Sequence, residues 1–323
     1  MDQAAHPSHR LVGSALPAAV DVYEVGPRDG LQNELRTLAT ADKVRLIDAL
    51  VAAGLKRIEV TSFVPPKWIP QLADAEQVLA RVKRPPGVIF SALVPNLKGL
   101  ERAEAAGLQE AAVFLSVTES HSKKNLNKTV SEAVATVREV AAAAVKAGMR
   151  VRCYLSTVWG CPYEGLVQVE QVVALCRRLQ GLGLYQLSLG DTIGVGTPKQ
   201  TEQIVSAVGE LFPISQLALH LHDTRGTALA NALVGLQLGI TTLDSSTGGL
   251  GGCPYAPGAA GNLASEDLVY MLQGLGIETG VSLPKLVEAG QLAQDLIGRK
   301  LSGKYLQAAI GEREKAASRT GKA

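Results

Sequence analysis

Two imidazoles, an acid, an arginine and a thiol mark the places in this chain where chemistry could happen. His220 and His222 stand one residue apart in ALHLHD (218–223). On a β-strand, side chains at i and i+2 leave the same face about 6 to 7 Å apart, which brings two imidazoles within reach of one metal ion. An H-x-H pair by itself is more often packing or hydrogen bonding, so its place in the fold has to carry the reading. Arg28 and Asp29 are adjacent in GPRDGLQNE (26–34). A guanidinium there could stabilise an oxyanion or brace the loop through an ion pair. Glu59 and Asp191 are further carboxylates, each fit for acid/base work or for orienting Arg28. Cys253 lies in GLGGCPYAPGAAGN (249–262), a stretch with five glycines, two prolines and no charged side chain. Such a segment suits neither helix, strand nor packed core, which is an odd place for the most oxidisable group in a chain.

For these residues to meet, distant parts of the chain must be brought to one place. Short β-branched runs alternate with longer Ala/Leu/Glu-rich segments, and the alternation counts out to eight. The strands are predicted at VYEV (22–25), RIEVTSF (57–63), VIFSALV (88–94), AAVFLSV (111–117), VRCYLSTV (151–158), YQLSLGD (185–191), LALHLHD (217–223) and TTLDSST (241–247). Between them lie helical patterns such as TADKVRLIDALVAAG (40–54), which opens on a threonine cap and closes on a glycine, and SEAVATVREVAAAAVKAG (131–148). Eight β-then-α units in roughly 250 residues predict an α/β fold, a closed parallel (β/α)8 TIM barrel over residues 20–300, rather than an open doubly wound sheet. ASEDLVYMLQGLG (264–276) finishes the ring, and LPKLVEAGQLAQDLIGRK (283–300) is an additional C-terminal helix packing across it. Residues 1–19 read as a tail. Residues 301–323 read as an extension that frays or becomes disordered after Leu306, being rich in charge and small side chains.

A barrel of this kind carries its chemistry at the C-terminal ends of its strands. Closure sets the eighth strand beside the first, so strands seven, eight and one form a contiguous sector. Asp29, His220, His222 and Asn262, the last residue of the glycine-rich segment, can therefore meet. Two nitrogens and two oxygens, completed by water or substrate oxygens, suit a divalent cation, Mg²⁺ or Mn²⁺, although two histidines also keep Zn²⁺ or Co²⁺ open. Nothing supports His6, His9 or His121 as ligands, the last being in a loop. The glycines of SLGDTIGVGTP (188–198) read as turn-makers before phosphate contacts, and the basic loop HSKKNLNK (121–128) as a solvated surface that could also meet phosphates or a carboxylate.

Composition excludes several other classes. With 46% hydrophobic residues in 323, the chain can bury a large core, and a net charge of +2 with scattered Lys and Arg argues against nucleic acid as a partner. No apolar stretch approaches a membrane span, and the first twenty residues lack a secretory or organelle-targeting pattern. The four cysteines form no C-x-x-C pair and no disulfide framework, which points to reduced thiols and a cytoplasmic location. Cys153, Cys161 and Cys176 read as packing residues, with Cys161 in GCPYEG able to border a pocket.

VGPRDGLQNE (25–34), SLGDTIGVGTP (188–198), HLHDTRGTALAN (220–231) and GLGGCPYAPGAAGNLASEDLVYML (249–272) together closely resemble 3-hydroxy-3-methylglutaryl-CoA lyase, within a wider group of metal-dependent TIM-barrel lyases and condensing synthases. The resemblance runs from about residue 20 to residue 300. R-D-G alone is common to the wider group; the GGCPYA segment combined with GPRDGLQNE is specific. The resemblance implies cleavage of an acyl-CoA substrate, 3-hydroxy-3-methylglutaryl-CoA, to acetyl-CoA and acetoacetate, by a homodimer. It implies Asp29, His220, His222 and Asn262 as ligands of a divalent cation, Arg28 as stabiliser of the enolate oxygen, and Cys253 as a catalytic acid/base on a mobile loop. Glu59 and Asp191 match active-site carboxylates, and His220 is counted with the catalytic group. Arg28, Gln32, Ser62, Tyr154 and Thr192 are the candidate substrate contacts. The same machinery would serve another branched 3-hydroxy-acyl-CoA, or a condensing synthase, although a synthase is expected to carry a further C-terminal domain. No cysteine follows Cys253, so the thiol regulation implied for some relatives has no counterpart residue here.

Overall fold

The computed structural model describes residues 16–251 and 261–320. Eight strands run parallel in a closed ring: β1 Asp21–Glu24, β2 Arg57–Ser62, β3 Ile89–Leu93, β4 Glu110–Ser116, β5 Arg150–Ser156, β6 Gln186–Asp191, β7 Leu217–Leu221 and β8 Thr242–Ser245. Each strand pairs with its sequence neighbours, and the ring closes where Asp21–Glu24 lies in register with Thr242–Ser245. The predicted strands lie within two residues of these bounds, because a fully buried parallel strand announces itself as a short β-branched run.

Helices α1 Thr40–Ala52, α2 Ala75–Arg81, α3 Leu97–Ala105, α4 Glu119–Leu126, α5 Val130–Lys146, α6 Val169–Leu179, α7 Pro198–Gly209, α8 Ala228–Gln237 and α9 Ser265–Gly274 lie between and after the strands. Local chemistry sets several of their ends. Thr129 and Glu132 form a reciprocal capping box at α5, and Thr197 with Gln200 does the same at α7, where Pro198 takes the first helical position. Thr40 is not the cap of α1 as its type suggests: Ala39 holds that place, and the Thr40 hydroxyl donates instead to Asp74 Oδ2 at 2.6 Å. Gly54 beyond α1 has φ +101°, and a Cβ there would lie 2.3 Å from the Gly280 carbonyl oxygen, so both conformation and close approach demand glycine.

The aliphatic core fills the space between strands and helices. Inside the ring the filling is polar: Tyr23, Glu59, Glu110, Arg152 and Asp244 are all buried there. Barrel interiors are more commonly packed with branched aliphatic side chains, so this interior has something to do besides packing.

Helix α10 Leu283–Ile297 packs against α1 and α9, bridging the last and first parts of the helical ring. The expected fraying after Leu306 is corrected: α11 runs from Lys304 to Thr320. Asp267 accepts from the backbone N–H groups of Lys304 and Tyr305 at 3.0 and 2.6 Å, which caps α11 from α9. Leu306 is fully buried, and Tyr305 stacks on Tyr270. Ala, Glu, Lys and Arg are strong helix formers, so a composition that reads as a tail becomes a helix once its first turn is capped and docked. Truncating Leu306 to Ala is expected to destabilise the fold by about 2 to 5 kcal/mol, read as a lower denaturant midpoint at unchanged slope. An unaltered midpoint would mean that α11 adds nothing to the core. Of the expected N-terminal tail, residues 1–15, with His6 and His9, lie outside the described residues, while Ala19 bridges to Glu278. Among the described residues no helix is long and apolar enough to cross a membrane.

Candidate active site

Every strand of the ring points its C-terminal end toward one mouth, and a cavity of about 350 Å³ opens there. Its polar side is built first by the turn after β1. Pro27 sits in a wide helical turn, Gly26–Gly30, whose N–H groups at Arg28, Asp29 and Gly30 converge on the Val25 carbonyl. The turn is tied to the far side of the barrel seam by Glu24, whose carboxylate accepts from the N–H of Gly26 at 2.8 Å, the N–H of Thr247 at 2.9 Å and the hydroxyl of Ser265 at 2.6 Å. Burial raises the Glu24 carboxyl to about 7 against those three bonds.

Arg28 is 5% exposed and rigidly held. Its Nε donates to Glu59 Oε2 at 2.6 Å, its Nη1 donates to Asp29 Oδ1 at 2.7 Å, and its guanidinium lies 5.4 Å from the Tyr154 ring centre. Tyr154 also donates its hydroxyl to Glu59 Oε2, at 3.1 Å. Of the two uses open to Glu59, the geometry is that of orienting Arg28.

Asp29 collects the other donors. Oδ1 also accepts from Gln32 Nε2 at 2.7 Å, and Oδ2 accepts from Asn262 Nδ2 at 2.8 Å. Burial would raise its carboxyl, but Arg28 and the two imidazoles outweigh burial and hold it at about 2. Asp29, His220 and His222 each offer a ligand atom, and the three atoms lie within 4.8 Å of one another. The imidazole rings of His220 and His222 are 5.4 Å apart. Burial lowers His222 to about 4, so its ring is neutral and keeps a lone pair. His222 Nδ1 is buried and has no hydrogen-bond partner among the described residues, an arrangement that is costly unless something else occupies the donor. An ionised carboxylate and two imidazoles, that of His222 neutral and with an orphaned nitrogen, fit a divalent cation.

Asn262 reaches this cluster by a route that strand counting does not describe. The chain returning from the glycine-rich segment pairs with the exit of β7: His222 and Asn262 form an antiparallel bridge, Leu263 N–H donates to Leu221 O at 2.9 Å, and Asp223 N–H donates to Gly261 O at 3.1 Å. The Asn262 amide nitrogen is engaged by Asp29 and by Leu250 O, which leaves its carbonyl oxygen to coordinate.

Other candidate residues are placed differently. Thr192 lines the cavity and accepts from the N–H of Thr157, whose φ of +60° is a strained conformation for a β-branched residue. Asp191 does not face Arg28: its two oxygens accept from the N–H groups of Val195 and Gly196, so it holds the loop after β6 in shape. Ser62 does not line the cavity either, and its hydroxyl accepts from Val64 N–H. Cys161 accepts from Thr118 Oγ1 and Tyr163 N–H and is not one of the residues lining the cavity. Cys253 lies outside the described residues.

Sequence reasoning missed three features. HSKKNLNK is not a loop, since residues 119–126 form α4, and buried His121 lines the cavity with its Nδ1 2.6 Å from Ser116 Oγ. Opposite the polar side stands an apolar wall of Val64, Trp68, Ile69, Phe114 and Leu126. Below the cavity lie Arg152 and Asp244, fully buried in mid-strand. A charged residue inside an otherwise apolar run is the signal that could have marked them.

A family model described as HMGL-like matches residues 19–293. The hydroxymethylglutaryl-CoA lyase of Bacillus subtilis is 52% identical over 291 residues, spanning 90% of this chain and 97% of that protein. The solved structure of hydroxymethylglutaryl-CoA lyase from Pseudomonas aeruginosa superposes with a TM-score of 0.90 at 48% identity, covering 92% of this chain and 99% of that one. The lyase of Acinetobacter baumannii, solved with coenzyme A and 3-methylmalate, gives 0.86 at 38% identity over 90% and 95% of the two chains.

Proposed function

The chain belongs to the HMGL-like family, and from that premise we propose that it is a carbon–carbon lyase cleaving 3-hydroxy-3-methylglutaryl-CoA to acetyl-CoA and acetoacetate. The observation that carries this reading is the convergence of Arg28 with Asp29, His220 and His222 on one cavity whose opposite wall is apolar. Relatives that share about half its residues carry that activity in their names, and a further lyase of that name, 38% identical, was solved with coenzyme A and 3-methylmalate.

Cleavage breaks the C2–C3 bond of the acyl chain. The electron pair stays on C2 and spreads onto the thioester oxygen as an enolate, while C3 becomes a ketone carbon and its hydroxyl loses a proton. Asp29, His220, His222 and Asn262 would hold the divalent cation, Mg²⁺ or Mn²⁺, which when bound supplies Lewis-acid polarisation of the substrate's oxygens. Arg28 places positive charge at the enolate oxygen, and Glu59 and Asp29 keep the guanidinium from following bulk solvent. Cys253 delivers a proton to C2, and the proton shed by the hydroxyl restores the thiol, so turnover consumes no protons. A thiol with an ordinary pKa of ~8.5 can make that transfer near neutral pH. Gln32, Tyr154 and Thr192 orient the acyl group, and the apolar wall takes the uncharged part of the thioester arm.

The test is turnover of a panel of branched 3-hydroxy-acyl-CoA thioesters with and without a chelator, products being identified. The expected result is chelator-sensitive release of acetyl-CoA with the 3-hydroxy-3-methylglutaryl thioester preferred. Preference for another member of the panel would reassign the substrate, and no cleavage of any would sink the reading. In the same assay Cys253→Ser is expected to bind Mn²⁺ like the parent and to lose on the order of 10²-fold or more in turnover; parental turnover would remove the acid/base role. We place the enzyme in the cytoplasm as a homodimer, a location supported by the free, buried thiols of Cys153, Cys161 and Cys176.

A further inference from the structure

Asp244 was not among the residues that motif and strand-end reasoning selects, and it is buried inside the barrel. It is the third residue of β8, paired in register with His220 on β7, and only 2% exposed. Both of its oxygens are engaged. Oδ1 accepts from Arg152 Nη2 at 2.5 Å; Oδ2 accepts from Ser188 Oγ at 2.9 Å and faces His220 Nδ1 at 3.2 Å. Arg152 is itself fully buried, with Nε on Gln186 Oε1 at 2.8 Å and its guanidinium 3.9 Å from the Tyr23 ring centre.

These contacts decide where a proton sits. A guanidinium does not deprotonate in a protein, so the carboxylate locked to it at Asp244 stays ionised and can only accept. His220 Nδ1, facing that acceptor, must be the nitrogen that carries hydrogen. A neutral imidazole has one protonated nitrogen, so Nε2 is left with its lone pair. Nε2 is the nitrogen on the side of Asp29, 3.8 Å from Oδ2, which is too far for a hydrogen bond. His222 has no such arrangement, its Nδ1 being unpartnered among the described residues.

We propose that Asp244, anchored by Arg152, is a positioning residue that locks His220 in the Nδ1–H tautomer and so presents Nε2 to the cation. The proposal rests on the reading of Asp29, His220 and His222 as cation ligands. Replacing Asp244 by Asn inverts the arrangement: Arg152 demands the amide oxygen, which turns the amide NH2 toward Nδ1. Nδ1 must then accept, the hydrogen moves to Nε2, and the ligand atom is covered.

The experiment is long-range ¹H–¹⁵N correlation of histidine-labelled, metal-free protein with its imidazoles neutral, together with Mn²⁺ affinity from the free-ion electron paramagnetic resonance signal. The parent is expected to show His220 as the Nδ1–H tautomer. Asp244→Asn is expected to move His220 to Nε2–H, leave the His222 resonances in place, and weaken Mn²⁺ binding about 10- to 100-fold. An Nε2–H tautomer in the parent overturns the proposal, as does an Asn variant with unchanged tautomer and Mn²⁺ affinity. Should the Asn variant not fold, the parent's tautomer alone decides. If the parent shows the Nδ1–H tautomer yet binds no Mn²⁺, the cation reading fails while the role of Asp244 in fixing the ring stands.

Discussion

Replacing Arg28 by Met is expected to lower kcat by on the order of 10² to 10³ with little change in KM. The reason lies in how the guanidinium is committed. Nε is fixed on Glu59 and Nη1 on Asp29, so among the described residues the two N–H groups of Nη2 and the second of Nη1 are left for a substrate oxygen. That oxygen carries full negative charge only once the C2–C3 bond has broken, so the interaction is stronger in the transition state than in the bound substrate. Lys in place of Arg keeps the charge but cannot reach Glu59 and Asp29 together while donating to a third acceptor, and an intermediate loss is expected. The Met variant also leaves Glu59 buried without its counter-charge, a change that costs about 3 to 5 kcal/mol when one partner of a buried pair is removed. Thermal unfolding therefore has to be measured beside kinetics. A folded Met variant with parental kcat would show that Arg28 only braces the loop.

The second large effect is expected at His222. His222→Ala should lose bound divalent cation and turnover together, the fall in affinity exceeding the 10- to 100-fold typical of an outer-layer partner. His222 is the imidazole whose state is least ambiguous: burial keeps it neutral, and among the described residues its Nδ1 has no partner to give up. Metal content by elemental analysis and turnover by product assay are the paired readouts. Full turnover in a demonstrably metal-free parent, or a His222→Ala protein retaining metal and activity, would contradict the ligand set. Because Asp29 is held at about 2 by Arg28 and the imidazoles, the carboxylate stays ionised across the working pH range.

The parts of this molecule that could be read in advance are those whose cause is local. Eight β-branched runs separated by helical periods announce a (β/α)8 ring, since strand and helix each need only their own few residues to declare a period. The two-residue spacing of His220 and His222 assigns them to one face, and ring closure alone brings Asp29 near them. The resemblance of four motifs carried the rest of the functional expectation.

What the tertiary structure decided are the partners. Asp191 and Glu59 are both carboxylates on strands aimed at the mouth, yet one is spent on Val195 and Gly196 backbone and the other on Arg28. Asn262 meets His222 through a backbone bridge rather than by standing at a strand end. Asp244 answers to Arg152, 92 residues away, and to His220, 24 residues away. A strand's period tells a side chain which way to point, but the energy of a buried charge depends on which opposite charge or donor three-dimensional closure sets within about 3 Å of it. That choice is made between elements far apart in the chain, and no local pattern records it.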